Sequence, residues 1–370
     1  MQVLSTSKKR TILYTISMGK SMNKITIAGT EISQNSRVFI IAELSANHGG
    51  KIEIAKQTIK AAAQTGADAI KLQTYTADTI TLDCDNDYFQ IQQGTLWDGQ
   101  TLHSLYKKAY MPWEWQGELK AYAESLGLIC FSSPFDMTAV DFLESIDVPA
   151  YKIASFEITD IPLIEYVASK GKPVIISTGI AEKNDIQEAL DACHRMNNKE
   201  VILLKCTSAY PAPLEEANLL TIPDLAKTFD VIAGFSDHTL GITAPVTAVA
   251  LGAKVIEKHF ILDRSIGGPD ASFSLDVEQF TQMVNAVRDT EKMLGKVTYE
   301  LSEKSKNSRE FSRSLFITEN VKTGDIVSEH NIRSVRPGYG LHPKYYKEIL
   351  GKMFSKDLSK GTPLKWEMFK

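Results

Sequence analysis

The sequence has little cysteine and no long hydrophobic run. Its four cysteines, Cys84, Cys130, Cys193 and Cys206, form no close pairs, so neither a disulfide framework nor a thiolate zinc site is indicated. We expect a reduced, cytoplasmic compartment. No apolar stretch approaches the roughly 20 residues that a membrane span requires, so we expect no membrane partner.

A large excess of charge of either sign is also missing. The 370 residues include 41 Lys and Arg and 45 Asp and Glu, for a formal net charge of −4. This balance gives no electrostatic reason to expect nucleic acid or a membrane surface as a partner. It does not exclude a small anionic substrate, because a few lysines in a cleft leave the net charge almost unchanged.

The first 21 residues have the composition of a leader. Three basic residues, 8–10, precede a stretch, 11–18, that is too short and polar for a signal-peptide core. The alternating pattern of a first strand begins near Lys24. We therefore expect residues 1–21 to be a disordered leader or an over-long translation start.

From residue 38 onward, short β-branched runs alternate with helical patterns. Strands that alternate with helices predict an α/β fold with a parallel sheet covered by helices. Eight such units in about 260 residues predict a closed (β/α)₈ TIM barrel. The runs are residues 38–44, 69–74, 128–134, 150–155, 173–179, 201–208, 231–238 and 255–262.

The pattern changes after residue 295. Residues 296–312 are polar and charged, which is typical of an exposed linker. Residues 313–370 contain short strands and turn signals. We expect a barrel domain over residues 22–295 and a small β-rich domain over 313–370. A domain of that size has a small core, so it is expected to dock on another surface.

A long insertion, residues 83–116, separates the second and third apolar runs and contains three of the four tryptophans. Loops of this length in compact domains usually carry structure of their own or a function. Two interpretations stay open: a helix packed on the barrel rim by its aromatic residues, or a lid on the substrate side.

Each apolar run ends in polar side chains. Loop polarity alone predicts Asp, Asn and Gly at strand ends, whereas this chain has lysine, glutamate and histidine within the apolar runs. In TIM barrels the active site lies at the carboxyl ends of the strands. The strand-end residues singled out are Glu43, Lys71, Gln73, Ser133, Lys152, Ser155, Ser177, Ser236, His238, Glu257 and His259.

Two histidines predict a metal site. His238 and His259 end neighbouring strands, where they could bind one divalent cation, and nearby oxygen donors suit Mn²⁺ or Mg²⁺. Glu43 ends the strand that closes the barrel beside His259, and Glu257 lies on the same side of the pleat as His259. Either carboxylate could act as a general acid or base. Taken singly, each histidine could instead be a hydrogen-bonded strand-end residue.

The lysines and serines form a second set at the same end of the barrel. Lys71 and Lys152, with the serine hydroxyls around them, would satisfy phosphate and carboxylate groups by charge-assisted hydrogen bonds. A lysine could alternatively form a Schiff base with a carbonyl substrate.

Segments spread along the chain resemble the sialic acid synthase family in order and spacing. They include FIIAELSANHGG, AIKLQTY, FSSPFD, YKIASFE, GFSDHTLG and EKHFILDR. The segment NIRSVRPGYGLHP resembles that family's small antifreeze-like (SAF) domain. AELSANH, GTLWDGQTL and CTSAYPAPLEEANL are most similar to the pseudaminic acid synthases within the family. The resemblance covers about residues 24–368 and implies a TIM barrel followed by an SAF domain.

The resemblance also implies a reaction and a set of roles. Phosphoenolpyruvate would condense with an acylated amino sugar and water, with loss of phosphate, and His238 and His259 would bind the metal. The sugar would be 2,4-diacetamido-2,4,6-trideoxy-L-altrose. The phosphoenolpyruvate-binding positions would be Lys71, Ser133, Lys152, Ser155, Ser177, Ser208 and Ser236. The sugar-facing positions would be Gln73, Glu157, Tyr210 and Asp270.

Arg336 matches the arginine that family dimers insert into the partner's barrel, so the resemblance implies a domain-swapped homodimer. Three positions depart from the sialic acid branch: Ser208 replaces an asparagine, and Ala154 and Phe156 replace a glycine pair. These changes indicate a different sugar. The alternatives are an N-acetylneuraminic or legionaminic acid synthase, a metal-dependent pyruvate aldolase, and a non-catalytic sugar-binding protein.

Overall fold

A computed structural model describes residues 23–92 and 94–370 of the chain, and the predicted leader, residues 1–21, lies outside these ranges. The chain divides into two compact units at Gly295 and Lys296. Among the described residues, no helix combines the length and apolar character needed to cross a membrane.

A short hairpin fills the amino end of the first unit. Strands β1 (Lys24–Ile27) and β2 (Thr30–Ser33) pair in antiparallel fashion. Three of the hairpin's side chains, Ile25, Ile27 and Ile32, are buried against the apolar residues that the barrel strands point inward near their amino ends. The hairpin therefore plugs the amino end of the barrel.

Eight parallel strands close into a barrel, which confirms the fold predicted from the eight apolar runs. They are β3 (Phe39–Glu43), β4 (Ala69–Thr74), β5 (Ile129–Pro134), β6 (Tyr151–Ile153), β7 (Val174–Ser177), β8 (Val201–Cys206), β9 (Ile232–Asp237) and β10 (Val255–His259). The last strand pairs with the first, so that His259 lies opposite Glu43.

Helices follow the strands and cover the outside of the barrel. Their apolar faces form one core with the outward-facing residues of the strands. The helices of this unit are α1 (Ile52–Thr65), α2 (Ala77–Ile80), α3 (Leu102–Ala109), α4 (Trp113–Ser125), α5 (Met137–Ser145), α6 (Ile161–Ala168), α7 (Lys183–Arg195), α8 (Thr221–Phe229), α9 (Thr243–Ala250) and α10 (Val277–Leu294).

The two-residue period of the strands sorts side chains between the two sides of the barrel wall. In β3, Ile40 and Ala42 pack outward with the helices, whereas Phe39 and Ile41 belong to the inner cluster. The next inward position after Ile41 is Glu43. The inner layers are therefore apolar at the amino end and polar at the carboxyl end, which places the site at the mouth opposite the plug.

The second unit has a small apolar core of its own, formed by residues such as Leu315, Phe354 and Leu364. Strands β11 (Ser314–Ile317) and β12 (Ile332–Val335) pair in antiparallel fashion. The expected linker, residues 296–312, contains the short helix α11 (Glu303–Ser308), and α12 (Tyr346–Ile349) lies near the chain end.

Candidate active site

A buried network of charges lies inside the carboxyl end of the barrel. Lys71 Nζ is 3.0 Å from Glu43 Oε1 and 3.1 Å from Glu257 Oε2. Lys152 Nζ is 3.4 Å from Glu257 Oε1. None of these four side chains is more than 4% exposed. The network brings together two lysines and two glutamates that the sequence analysis assigned to one site.

The mutual charges keep both carboxylates ionised. Burial alone would raise the pKa of Glu43, but Lys71, His259 and Lys152 outweigh it, so the pKa lies below its usual range. For Glu257, Lys152 and Lys71 likewise outweigh burial and lower the pKa. Burial lowers the pKa of Lys152, whereas Glu257 and Glu43 overcome burial and raise the pKa of Lys71. The two lysines are therefore electrostatically distinct.

Serine hydroxyls lie at the same end of the barrel as the lysines. Ser236 Oγ donates to Glu257 Oε1 at 2.9 Å, and Ser155 Oγ is 2.6 Å from Ser208 Oγ. The buried hydroxyls of Ser133 and Ser177 have no hydrogen-bond partner among the described residues. Both serines lie at the carboxyl ends of their strands, the end of the barrel that holds the lysines. Because buried polar groups in native structures are almost always paired, two unpaired donors at this end indicate a site built to receive an anion.

Gly179 makes room for this group of serines, and the sequence analysis missed it. A Cβ atom at this position would lie 2.2 Å from Ser208 Oγ and 2.5 Å from Ser155 Oγ. The glycine in the strand-end segment STG was the available signal, because a side chain is excluded where another chain segment approaches closely.

His238 and His259 lie side by side at the mouth, with ring centroids 5.4 Å apart. His238 Nδ1 is 2.9 Å from the carbonyl oxygen of Thr207. A carbonyl only accepts, so Nδ1 donates this hydrogen bond, and in the neutral ring Nε2 then keeps its lone pair. His259 Nε2 is 3.4 Å from Glu43 Oε2, and His259 Nδ1 is buried without a hydrogen-bond partner.

These two imidazoles fit a divalent cation. The residues described here contain no group of three or more His, Cys, Asp or Glu side chains arranged to hold a metal. Two protein ligands would leave coordination positions open to water and substrate, as a Lewis-acid role requires. The unpaired His259 nitrogen and the adjacent Glu43 carboxylate agree with that use.

The predicted sugar-facing residues of the barrel lie around the same mouth. Gln73 Nε2 donates to Glu43 Oε1 at 3.0 Å. The Tyr210 ring is 4.2 Å from the His238 ring. Glu157 has one buried carboxylate oxygen without a partner, and burial raises the pKa of its carboxyl to about 7.

Asp270 also lies at the mouth, where it contacts His259. Its Oδ2 is 3.8 Å from His259 Nδ1 and accepts from Ser45 Oγ. Ser45 has a φ of +48°, a left-handed conformation that is uncommon for a residue other than glycine. Sequence reasoning missed Ser45, since nothing in the AELSANH segment marks its backbone conformation.

Arg336 belongs to the second unit, where it is exposed just after β12. The turn that carries it is held by Ser314, whose Oγ donates to Pro337 O at 2.7 Å and accepts from Gly340 N at 2.8 Å. A Cβ on Gly338 would lie 2.6 Å from Ser312 Oγ. The turn that carries Arg336 is therefore closely packed, whereas the arginine itself is exposed.

A second buried ion pair lies behind the histidines. Lys258 Nζ bonds the Asp237 carboxylate and also donates to Thr239 O at 2.6 Å. Neither charged side chain is more than 1% exposed. Because Asp237 precedes His238 and Lys258 precedes His259, this pair joins the ends of β9 and β10 beside both imidazoles.

The insertion packs on the rim and also reaches the mouth. Trp113 donates from Nε1 to Tyr75 O at 3.1 Å, and Trp115 packs edge-on to His48, as expected for a rim-packed helix. Trp97 donates from Nε1 to Pro269 O at 3.3 Å and lies 5.8 Å from the Tyr210 ring.

Family models match both parts of the chain. The model of the NeuB family matches residues 58–299, and that of the SAF domain matches residues 312–370. The chain belongs to the NeuB family. This membership confirms the resemblance seen in the sequence motifs.

Among curated relatives, pseudaminic acid synthase of Campylobacter jejuni strain 81-176 is 49% identical over 91% of this chain and 98% of its own length. The pseudaminic acid synthase of Helicobacter pylori is 48% identical, covering 88% and 96%. An N,N'-diacetyllegionaminic acid synthase of Legionella pneumophila is 37% identical, covering 89% and 94%.

A solved structure supports the fold over most of this chain. The N-acetylneuraminic acid synthetase of Leptospira borgpetersenii is 32% identical, with a TM-score of 0.69, covering 78% of this chain and 95% of the other.

Proposed function

We propose that this protein condenses phosphoenolpyruvate with 2,4-diacetamido-2,4,6-trideoxy-L-altrose and water to give pseudaminic acid and phosphate. The observation that carries the proposal is the pair of buried lysines and the unpaired serine hydroxyls at the carboxyl end of the barrel, where Glu43 contacts both Lys71 and His259. An anion would be held in the depth of the barrel, and a carbonyl group would lie above it at the metal. A pyruvate aldolase would have no need of so many phosphate donors.

The chain's own residues divide the work. Lys71 and Lys152, with the hydroxyls of Ser133 and Ser177, would hold the phosphate and carboxylate of phosphoenolpyruvate. His238 and His259 would hold Mn²⁺ or Mg²⁺, which supplies Lewis-acid polarisation of a carbonyl oxygen when bound.

The bond changes balance with one water consumed. C3 of phosphoenolpyruvate forms a carbon–carbon bond to the aldehyde carbon of the open-chain sugar, and a proton is delivered to the aldehyde oxygen. Water adds at C2, and the C2–O bond to phosphate then breaks, leaving the keto acid. Glu43 lies beside His259, where its ionised carboxylate would orient a water or sugar hydroxyl and handle the proton. Glu257 would hold both lysines charged.

The choice of sugar draws support from the relatives, since the identity to pseudaminic acid synthases exceeds that to the legionaminic acid synthase. It also draws support from Phe156, an exposed aromatic residue that follows β6 at the rim. Apolar surface at the mouth suits a sugar that lacks a 6-hydroxyl group.

We further propose that the protein is a cytoplasmic homodimer in which Arg336 of one chain reaches the barrel of the other. Large apolar side chains follow four successive barrel strands at the rim and are 45–60% exposed: Phe156, Ile180, Leu214 and Leu240. A rim of exposed apolar residues around a polar mouth is typical of a covered surface.

The first test is phosphate release from phosphoenolpyruvate by the full chain with Mn²⁺. The acceptors compared are the diacetamido-altrose, N-acetylmannosamine and the legionaminic acid precursor. We expect release with the altrose to exceed release with the others by at least tenfold in kcat/KM. Preference for another acceptor would keep the reaction and overturn the sugar. No release with any acceptor, from folded and metal-loaded protein, would overturn the synthase and favour a sugar-binding protein.

A further inference from the structure

Trp97 lies where the insertion passes over the barrel mouth. It is partly buried, whereas Leu96 and Asp98 on either side are exposed. Its indole nitrogen donates to the carbonyl oxygen of Pro269, the residue before Asp270. Its ring lies 5.8 Å from that of Tyr210. The indole therefore bridges the loop after β8 and the loop after β10, both of which contribute to the site.

The aromatic residues form a line that leads outward from His238 and His259. The Tyr210 ring is 4.2 Å from the His238 ring and 6.4 Å from the His259 ring. The lysines lie deeper in the barrel, next to Glu257. A sugar whose aldehyde carbon lies at the histidines and whose chain extends outward would therefore end beside Trp97.

The turn that carries Trp97 is internally braced. Asp98 accepts hydrogen bonds from Gly94 N at 2.9 Å and from Thr95 N at 2.8 Å. Behind it, Ile91 is buried and exchanges backbone hydrogen bonds with Gly99 and Gln100. A wall that discriminates between ligands has to be held in place, and this turn supplies that support.

We propose that Trp97 is a specificity-determining residue that forms the apolar wall for the far end of the acceptor sugar, against its C6 methyl group. The inference rests on the proposed function. A methyl group packs on the indole, whereas a hydroxymethyl group would lose water there without gaining a hydrogen-bond partner. The other two tryptophans of the insertion, Trp113 and Trp115, are engaged in packing α4.

The experiment compares the diacetamido-altrose with its 6-hydroxy analogue, which differs by one oxygen atom. The measured quantity is the ratio of kcat/KM for the two acceptors in the wild type and in Trp97→Ala, Trp97→Phe and Leu96→Ala. We expect Trp97→Ala to lower the ratio by about tenfold, mainly through KM. Trp97→Phe should keep most of the ratio because it keeps an aromatic wall. Leu96→Ala, the matched control in the same turn, should behave as the wild type.

A second measurement does not depend on turnover. Binding of the 6-deoxy acceptor should change the tryptophan fluorescence of the wild type but not that of Trp97→Phe. An unchanged acceptor ratio in Trp97→Ala, or an equal fluorescence change in Trp97→Phe and the wild type, would overturn the inference. The acceptor preference of the wild type alone tests the proposed sugar, so the two failures are distinguishable.

Discussion

At the scale of single residues, the site depends on where a side chain is absent as much as on where one is present. Gly179 leaves the space in which Ser155 and Ser208 approach each other, and the unpaired hydroxyls of Ser133 and Ser177 complete the proposed anion site. Glu157 differs from the other glutamates of the mouth because burial outweighs the influence of Lys152, and its pKa is raised.

The first prediction concerns Gly179→Ala. The added methyl group would displace both serine hydroxyls, so we expect KM for phosphoenolpyruvate to rise about tenfold, the equivalent of one lost hydrogen bond. Steady-state kinetics with saturating sugar provide the measurement. Gly117→Ala is the control, because the nearest atom to its Cβ is a methyl carbon of Ile146 at an ordinary 3.7 Å. An unchanged KM in a folded Gly179→Ala protein would contradict the role of this glycine.

The second prediction concerns Glu157 and pH. Its folded pKa of about 7 lies above the ordinary 4.5, so the native state binds more protons than the unfolded state between these values. This contribution to the free energy of unfolding therefore falls as pH rises from 4.5 to 7. We expect Glu157→Gln to gain stability relative to the wild type over that interval, by on the order of 1–3 kcal/mol. Chemical denaturation at pH 5 and pH 8 measures the difference, and a constant difference would exclude the shift.

At the scale of elements, the sequence predicted the barrel well, because the alternation of β-branched runs with helical patterns, and the polar ends of those runs, are local signals. All eight strands lie within the predicted runs, and the inward register of Glu43, Lys71 and His259 follows from strand pairing. The positions of Trp97 and Ser45 could not be predicted. The first depends on the path of a long loop, and the second on a left-handed backbone that its neighbours stabilise.

The buried pair Lys258–Asp237 gives the third prediction. Lys258→Met would leave the Asp237 carboxylate buried without its cation, so we expect the free energy of unfolding to fall by about 3–5 kcal/mol. The double variant Lys258→Met with Asp237→Asn should lose less, because no unpaired charge remains. Urea denaturation of both variants is the measurement. Equal losses would show that the charge on Asp237 does not govern the cost.

At the scale of the whole molecule, the two units have separate cores, and Arg336 is carried by the second. The sequence motifs indicated both units, but the partner of the exposed arginine was indicated only by resemblance. Local patterns do not encode which barrel an exposed side chain serves.

The fourth prediction uses complementation to distinguish two arrangements. In one, Arg336 serves the barrel of the partner subunit, and in the other it serves its own barrel. His259→Ala should abolish turnover, and Arg336→Ala should raise the sugar KM. In a swapped dimer that pairs these two variants, one site combines an intact barrel with an intact Arg336. Because one of its two sites is complete, the isolated mixed dimer should then recover about half of wild-type activity at low sugar concentration. If Arg336 served its own barrel, mixing would restore nothing. Co-expression with two affinity tags isolates the mixed dimer.

The hairpin that plugs the amino end has a consequence for the order of events. Ile25, Ile27 and Ile32 fill that end of the barrel, so substrates and products must pass through the mouth at the other end. With phosphoenolpyruvate held at the lysines as proposed, a sugar that arrived first would block the path to them, so phosphoenolpyruvate would have to enter before the sugar. Phosphate formed beneath the new nine-carbon chain must then wait until that chain departs. Because one opening serves both substrates and both products, binding and release would follow a fixed order. The sugar would bind last, and the nine-carbon product would leave first.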